Sequence, residues 1–180
     1  VDVQDAYTNN YTDYLDTIPH LFYYNAFLIL SNGTEAKVGT LGSKYEFFHE
    51  WKRLSEQEQG SVALETMLRG ICKKENFLDL LENFILFDHS GGHTAKILAR
   101  NHQYLGVNEA IKAYEARKLN NGKLGVFWHT QGSGKSYSMV FLAQKIRRKF
   151  SGSPTIVILT DRDELNTQIS DTFENCGMLG

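Results

Sequence analysis

Residues 129–136, His-Thr-Gln-Gly-Ser-Gly-Lys-Ser, have the types and spacing of a loop that holds the phosphates of a nucleotide. Gly132 and Gly134 permit the tight backbone conformations in which successive N–H groups point at one anion. Lys135 supplies a positive charge for the β and γ phosphates, and the hydroxyl of Ser136 is a ligand for Mg²⁺. The motif therefore predicts a site for the phosphates of a nucleotide with Mg²⁺.

The flanking residues are those that such a loop requires. The apolar residues 125–128 predict a strand before the loop, and a helical pattern follows it to about Phe150. The helix adds the positive end of its dipole to the site, and Ser133 belongs to the same predicted phosphate-binding set. The general motif begins with glycine where this chain has His129, so the alternative is a chance Gly-Ser-Gly turn before a surface lysine. The strand–loop–helix context favours phosphate binding.

A second strand and helix are predicted after the loop. Residues 155–159, Thr-Ile-Val-Ile-Leu, read as a buried strand, and Asp161 as the cap of a helix that carries Leu165, Ile169 and Phe173. A strand–helix–strand–helix order predicts a right-handed crossover and a parallel sheet, the α/β fold class. In such sheets the ligand lies at the carboxyl ends of the strands, where this loop would be.

The first half of the chain predicts a hairpin and then two helices. Residues 26–30 and 36–39 are apolar runs, and Asn32-Gly33 between them favours a hairpin with a type I′ turn. Ser61 is the expected cap of the first helix. The helices are predicted from apolar residues at helical spacing, which are Leu64, Met67, Leu68 and Ile71, then Phe77, Leu80, Leu81 and Phe84.

Three further groups of residues each have two interpretations. The aromatic-rich residues 45–51 fit core packing better than stacking on nucleic-acid bases. His89 and His93 could suggest a metal site, but the two glycines between them favour a flexible linker. The basic run at 145–149 fits either a phosphate-rich ligand or a solvated helix face.

Composition allows one or two domains with a substantial core, since 42% of the 180 residues are hydrophobic. Residues 1–92 hold 7 Lys and Arg against 14 Asp and Glu (−7), whereas residues 93–180 hold 12 against 7 (+5). A basic second half suits ATP or a nucleic-acid backbone. The chain has 2 cysteines without metal-ligand spacing, no apolar run of membrane-spanning length and no signal-peptide pattern. We therefore expect a reduced, cytoplasmic protein without a membrane partner. It begins without Met and reads as a piece of a longer protein.

With these segments placed, the chain resembles the motor (R) subunit of type I restriction enzymes, in the stretch that joins the nuclease domain to the first helicase-like domain. The phosphate loop alone is common to many families. Its combination with Thr-Asp-Arg-x-x-Leu one strand later is typical of helicase-type motors of superfamily 2, which often relax the first position of the loop. The resemblance covers most of the chain and is carried by residues 18–22, 24–25, 31–36, 100–104, 129–136 and 160–165.

The resemblance implies roles for residues at the nucleotide. Gly132, Gly134, Lys135 and Ser136 would bind the phosphates and Mg²⁺ of ATP. Gln103 lies where such motors have a glutamine that reads adenine, and an amide can pair with both the donor and the acceptor on the edge of that base. The alternative for Gln103 is an ordinary residue at the start of a helix.

The resemblance also implies contact with double-stranded DNA. Thr160, Asp161 and Arg162 match a segment that touches the DNA strand in such motors, although Asp161 could be only a helix cap. Partners would include the modification and specificity subunits of the restriction complex. The paired acidic residues and lysine of the nuclease are expected before Val1, and Asn10 and Tyr14 are only weak counterparts of a Gln-x-x-x-Tyr segment that follows them.

The expected organisation has three parts. Residues 1–58 would end a mixed, β-containing nuclease domain, residues 59–92 would form a helical connector, and residues 93–180 would begin a RecA-like P-loop domain with a parallel sheet. The acidic box and the arginines that complete ATP hydrolysis are expected after Gly180, so this piece is predicted to be inactive alone. The alternatives are an unrelated P-loop ATPase and a non-catalytic connector or interaction module.

Overall fold

The computed structural model describes residues 2–178, which form a mixed α/β structure. Within these residues the strands form two separate two-stranded antiparallel sheets. Helices before, between and after the sheets supply most of the regular structure. None of the helices in this part of the chain has the length and apolar content needed to cross a bilayer.

The N-terminal segment is helical and packs on the first hairpin. It consists of α1 (Val3–Asp5), a π-helical segment (Ala6–Thr12) and α2 (Asp13–Thr17), followed by a short 3₁₀ helix (Pro19–Phe22). The Tyr11 hydroxyl accepts a hydrogen bond from the Gly42 backbone N–H at 2.8 Å, which attaches this helical segment to the chain after the hairpin. A small apolar core lies between the two, made of Val3, Tyr11, Phe22, Leu30 and Phe48.

The predicted first hairpin is confirmed, but its predicted turn type is wrong. Strands β1 (Leu28–Ser31) and β2 (Ala36–Gly39) pair antiparallel, with Ser31 opposite Ala36. Gly33 has a positive φ of 95°, whereas Asn32 does not, and a type I′ turn would need both. Instead, the Asn32 Oδ1 atom accepts the backbone N–H groups of Thr34 and Glu35, so side-chain hydrogen bonds close a four-residue loop.

The two predicted helices of the connector are also present. They are α3 (Leu64–Ile71) and α4 (Lys74–Asn83), and their apolar faces join the main core. Ser61 is not the cap of α3: Ala63 holds that position, and the Ser61 hydroxyl pairs with Thr66.

The histidine-flanked glycines lie in a second hairpin, so the expectation of a flexible linker there is wrong. Strands β3 (Ile85–Asp88) and β4 (Ala95–Leu98) pair antiparallel on either side of them. Gly91 and Gly92 both have φ of 78°, which lets the chain reverse within a few residues. The Thr94 hydroxyl and the His89 ring are 3.0 Å apart across the turn.

Three longer helices complete the described chain. They are α5 (Asn101–Glu115), α6 (Lys135–Lys149) and α7 (Asp163–Asn175), and α6 packs against both of the others. Arg162, and not Asp161, is the N-cap residue of α7, without a side-chain hydrogen bond to the helix. The main core extends from β2 to α7; its largest fully buried side chains are Trp51, Phe84, Phe141, Met67, Ile71, Leu80, Val107 and Val140.

The predicted strands at 125–128 and 155–159 are not formed, so the parallel sheet is absent from residues 2–178. A strand exists only where a neighbouring segment supplies hydrogen bonds, and no segment of the described chain pairs with either of these. Both segments remain apolar and exposed: Val126 is 92% exposed and Leu159 is 90% exposed. The sequence pattern identified the apolar residues correctly, but an apolar segment becomes a strand only when another segment pairs with it.

Candidate nucleotide-binding site

The phosphate loop has the backbone conformation that its glycines predict. Gly132 has φ of 75° and Gly134 φ of 81°, both in the left-handed region. Gly134 is the N-cap residue of α6, and Lys135 is the first residue of that helix. The loop therefore leads directly into the positive end of a 15-residue helix.

Lys135 lies across its own loop. Its ammonium group donates hydrogen bonds to the backbone carbonyl oxygens of His129 and Thr130, each at 2.9 Å. Ser136 follows it in the first turn of α6 and is half-buried. The residues predicted to meet the phosphates and Mg²⁺ are thus consecutive at one helix end.

The first turn of α5 supports the loop from one side. The His102 Nε2 atom lies 3.0 Å from the Ser133 carbonyl oxygen, and the Gln103 Nε2 atom donates to the Gly134 carbonyl oxygen at 2.9 Å. The other amide atom of Gln103 accepts the Arg100 backbone N–H at 2.8 Å, which caps α5. The positive φ of Gly134 favours glycine, and a β carbon there would lie 2.8 Å from Gln103 Nε2 and so displace that amide.

The second hairpin supports α6 from another side. The Tyr137 hydroxyl donates a hydrogen bond to Asp88 at the end of β3, and Asp88 also accepts the Ser90 backbone N–H at 2.7 Å. Burial, followed by this hydrogen bond, raises the pKa of Tyr137. Burial alone would raise the pKa of Asp88, but the hydrogen bonds from Tyr137 and Ser90 outweigh it and leave that pKa lowered. The start of α6 is therefore held between α5 and β3.

A cleft of about 1120 Å³ opens beside the loop. Its walls come from residues near 49–56, the first half of α5, the segment 124–129 and the start of α6. Basic side chains in the lining include Lys52, Arg53, Arg100 and Lys135; the acidic ones are Glu50, Glu56 and Glu109. The cleft has the size of a site for a nucleotide-sized ligand and reaches the predicted phosphate-binding lysine.

Two histidines that line the same cleft, His49 and His129, have lowered pKa values. Arg100 donates a hydrogen bond from Nε to the Nε2 atom of His49 at 3.1 Å, so that ring nitrogen carries no proton. Burial, followed by the charges of Arg100, His102 and Lys37, lowers the pKa of His49 to about 4. Burial also lowers the pKa of His129, helped by His102 and Lys135 and opposed by Glu56.

The His49 shift predicts that acid destabilises the chain. Unfolded His49 binds a proton below its ordinary pKa of 6.5, but folded His49 does so only near pH 4. The unfolded state therefore binds more protons in this window, and stability falls as the pH drops through it. In His49→Gln, the amide oxygen still accepts from Arg100 without titrating, so we expect a smaller drop in melting temperature between about pH 7.5 and pH 5. The control, His20→Gln at an exposed histidine, should keep the full drop. An equal drop in His49→Gln and the unmodified chain would contradict the assignment.

Among the predicted site residues that the structure describes, Lys135 lines this cleft, whereas five others lie away from both the cleft and the phosphate loop. Asp161 and Arg162 are exposed before α7, with Arg162 Nε 3.7 Å from an Asp161 carboxylate oxygen, and Thr160 is half-buried beside them. Asn10 and Tyr14 are exposed on the N-terminal helical segment, one helical turn apart. The hydrogen bond to Gly134 therefore brings Gln103 to the phosphate loop, and the structure places none of these five residues there.

Sequence reasoning missed the role of two residues. The sequence pattern gives His102 no role beyond its place in the segment 100–104, and no local signal links it to Ser133, 31 positions later. Lys145 was assigned to a basic run, yet it is buried and paired with Asp79, so the solvated-face interpretation is wrong for it. One signal was available, because Lys145 follows the core residue Phe141 by four positions and so shares its helix face.

Known proteins are similar to this chain over most of its length. Residues 102–179 match the family model for SWI2/SNF2 ATPases. The chain is 39% identical to the type I restriction enzyme HindI endonuclease subunit of Haemophilus influenzae over 176 residues, which cover 93% of this chain and 17% of that protein. It is 30% identical to a Methanocaldococcus jannaschii protein with the provisional name type I restriction enzyme MjaIXP endonuclease subunit, over 96% of this chain and 18% of that protein. It is 22% identical to the type I restriction enzyme SauCOLORF180P endonuclease subunit of Staphylococcus aureus.

The expected resemblance is therefore confirmed. The chain spans less than one fifth of the length of these relatives. Its similarity runs through almost all of its own residues, including both the N-terminal part and the phosphate loop. Over almost its whole length, the chain is similar to type I restriction enzyme endonuclease subunits.

Proposed function

We propose that this chain carries the phosphate-binding part of an ATP-driven DNA translocase within a type I restriction endonuclease subunit. The observation that carries the proposal is the loop that ends in left-handed Gly134 and starts α6 at Lys135. A helix N-terminus with a lysine and a hydroxyl in its first turn is a site for a triphosphate. The SWI2/SNF2 ATPase match over this region supports the same assignment.

ATP and Mg²⁺ fit the residues of the loop. The Ser133 hydroxyl oxygen is buried without a hydrogen-bond partner among the described residues, as a group that awaits a ligand would be. The backbone of residues 132–136 would hold the phosphates, and Lys135 would exchange its hydrogen bonds to loop carbonyls for charge-assisted ones to phosphate oxygens. Ser136 would contribute its hydroxyl to Mg²⁺, which neutralises phosphate charge when bound.

Gln103 is proposed to read adenine as well as support the loop. Its amide nitrogen uses one of two N–H groups on Gly134, and its amide oxygen uses one of two lone pairs on Arg100. One donor and one acceptor remain, which is the pattern that pairs with the edge of adenine. Gln103 is buried and does not itself line the neighbouring cleft, so pairing with a base there would require its amide to turn toward the cleft.

We propose contacts with DNA for two groups of residues because their side chains are exposed and charged. Asp161 and Arg162 are exposed, and Thr160 precedes them, at the predicted strand-contacting segment. Exposed basic residues at the end of α6 could add contacts with phosphates of duplex DNA; they are Arg147, Arg148 and Lys149. The modification and specificity subunits would complete the complex, as in other restriction enzymes of this type.

We infer that the exposed apolar segments 125–128 and 155–159 become strands of a parallel, RecA-like sheet in the longer protein. Each has side chains that a sheet would bury, and the loop would then follow its strand as expected. We keep the proposed parts at 1–58, 59–92 and 93–180, and β3 pairs with β4 across the last boundary. Asn10 and Tyr14 remain weak candidates for the nuclease part.

The proposal is tested by comparing the 180-residue chain with the full-length subunit. Hydrolysis also needs a positioned water and stabilisation of charge on the transferred phosphoryl group. We therefore expect the isolated chain to release no phosphate at a catalytic rate and to nick no plasmid with Mg²⁺, whereas the full-length subunit in its complex hydrolyses ATP when DNA is added. Lys135→Ala in both proteins is the control. Robust ATP hydrolysis by the isolated chain that is lost in Lys135→Ala would show that the chain holds a complete active site, and it would overturn the proposal that the chain carries only the phosphate-binding part. ATP hydrolysis by the full-length subunit that does not depend on DNA would overturn the proposed translocation.

A further inference from the structure

An anion-binding loop needs hydrogen-bond donors on two sides: its own N–H groups face the anion, and other groups must donate to its carbonyl oxygens on the opposite side. When its N–H groups point at the phosphates, its carbonyl groups turn away, and buried carbonyls need donors of their own. In this loop two consecutive carbonyl groups, those of Ser133 and Gly134, are within hydrogen-bond distance of side chains from two consecutive residues, His102 and Gln103.

The His102 contact shows which nitrogen of the ring is the hydrogen-bond donor. A carbonyl oxygen only accepts, so the 3.0 Å contact with Ser133 requires a proton on His102 Nε2. The ring is oriented by the edge of His129, with ring centroids 4.8 Å apart and planes at 85°. Phe127 supports His129 in turn at 4.4 Å. The imidazole is therefore held in one orientation between α5 and the loop.

The turn of α5 that carries His102 is itself anchored. Asn101 accepts the backbone N–H groups of Lys52 and Arg53 at 3.1 and 3.0 Å and donates to the Arg53 carbonyl oxygen at 2.9 Å. Gln103 closes the same turn on the Arg100 N–H. Residues 101–103 thus form a fixed support, and displacement of the loop would break contacts to two of them.

We propose that His102 is a positioning residue for the phosphate loop, which donates from Nε2 to the Ser133 carbonyl and, with Gln103, holds the loop in the conformation that accepts a triphosphate. The inference rests on the proposed function, because it concerns nucleotide held by the same loop. His102 contacts the backbone behind the site and not the reacting atoms. It acts through the loop, so its loss should weaken nucleotide binding more than it slows the chemical step.

The test compares two replacements in the full-length subunit in its complex, with DNA-stimulated ATP hydrolysis measured against ATP concentration. His102→Phe keeps a ring against His129 but has no donor, so KM for ATP should rise about 3- to 30-fold with kcat within about threefold. His102→Gln keeps an amide donor and should stay within about threefold of the unmodified KM. If His102→Phe does not fold, as judged by its melting temperature without nucleotide, His102→Leu replaces it.

The outcomes separate this inference from the function on which it rests. Loss of turnover in Lys135→Ala together with an unchanged KM in His102→Phe overturns the role of His102 alone. An equal rise in KM in the Phe and Gln variants shows that a side-chain donor at residue 102 does not restore nucleotide binding, and it also overturns the role of His102. Unchanged turnover in Lys135→Ala overturns the proposed function itself. A raised KM in the Phe variant that the Gln variant restores supports the assignment.

Discussion

Replacing Lys135 with alanine is expected to abolish ATP-driven translocation and DNA cleavage by the full-length subunit. Lys135 is the cation at the N-terminus of α6, where the triphosphate is proposed to bind. Loss of a charge-assisted hydrogen bond costs roughly 1.5–3 kcal/mol in binding. Removal of a group that stabilises transition-state charge typically lowers kcat by about 10²- to 10³-fold. The measurement is DNA-stimulated phosphate release together with cleavage of a plasmid that carries the recognition site.

The chain offers a matched control for this variant. Lys123 is exposed a short distance before the loop and does not line the cleft, so Lys123→Ala should retain turnover close to that of the unmodified subunit. The Lys135 variant must also be shown to fold, because its ammonium group holds two loop carbonyls. A folded Lys135→Ala subunit with unmodified rates would remove the phosphate-binding assignment of the loop.

The loop conformation and the start of α6 were predictable because their causes are local. Glycine occupies left-handed backbone regions at no steric cost, so Gly132 and Gly134 predict a sharp turn wherever they occur together. The helix after them follows from its own periodicity, and it begins at Lys135 as the motif requires. The binding roles of residues 132–136, of Gln103 and of residues 160–162 stay predictions.

The first hairpin shows the limit of a local rule. The Asn32-Gly33 pair identified the reversal, and the two strands flank it as predicted. The turn type was wrong because Asn32 uses its side chain as an acceptor for two backbone N–H groups. Competition between side-chain and backbone acceptors depends on the geometry of the whole loop, which a two-residue signal does not contain.

The unpaired segments and the support of the loop depend on distant partners. The apolar residues 125–128 have the composition of a strand. Strand pairing needs two segments, however, and a local sequence pattern does not identify the second one. The hydrogen bond from His102 to Ser133 joins residues in different elements. Periodicity identifies which face of an element is apolar; it does not identify which polar atoms meet across elements.

The buried ion pair between α4 and α6 gives the largest expected effect on stability. The Lys145 side chain is only 6% exposed, and its ammonium group donates to an Asp79 carboxylate oxygen at 2.6 Å. The Asn108 side-chain oxygen, also at 2.6 Å, and the Phe84 ring complete its surroundings. We expect Asp79→Ala to lower the free energy of unfolding by about 3 kcal/mol or more, because it leaves a buried cation without its counter-charge. Urea denaturation of the chain measures this change.

A double variant separates the cost of the unpaired charge from the value of the pair. Asp79→Leu with Lys145→Met replaces both ions with apolar side chains and should recover most of the stability lost in Asp79→Ala. The exposed pair of Lys149 and Glu115 is the control: both side chains are 47% exposed, with 2.8 Å between nitrogen and oxygen, so Lys149→Ala should change stability by no more than about 1 kcal/mol.

The same pair predicts a dependence on alkaline pH. Burial lowers the pKa of Lys145, and Asp79 opposes that shift by hydrogen bonding and charge. Without Asp79 the folded-state pKa falls further below its ordinary value, so the unfolded state binds more protons and stability rises with pH. The deficit of Asp79→Ala should therefore shrink as pH increases toward about 10, whereas a deficit caused by lost packing alone would stay constant. Because α6 begins in the phosphate loop about three turns before Lys145, such a loss of stability would also loosen the helix that presents Lys135.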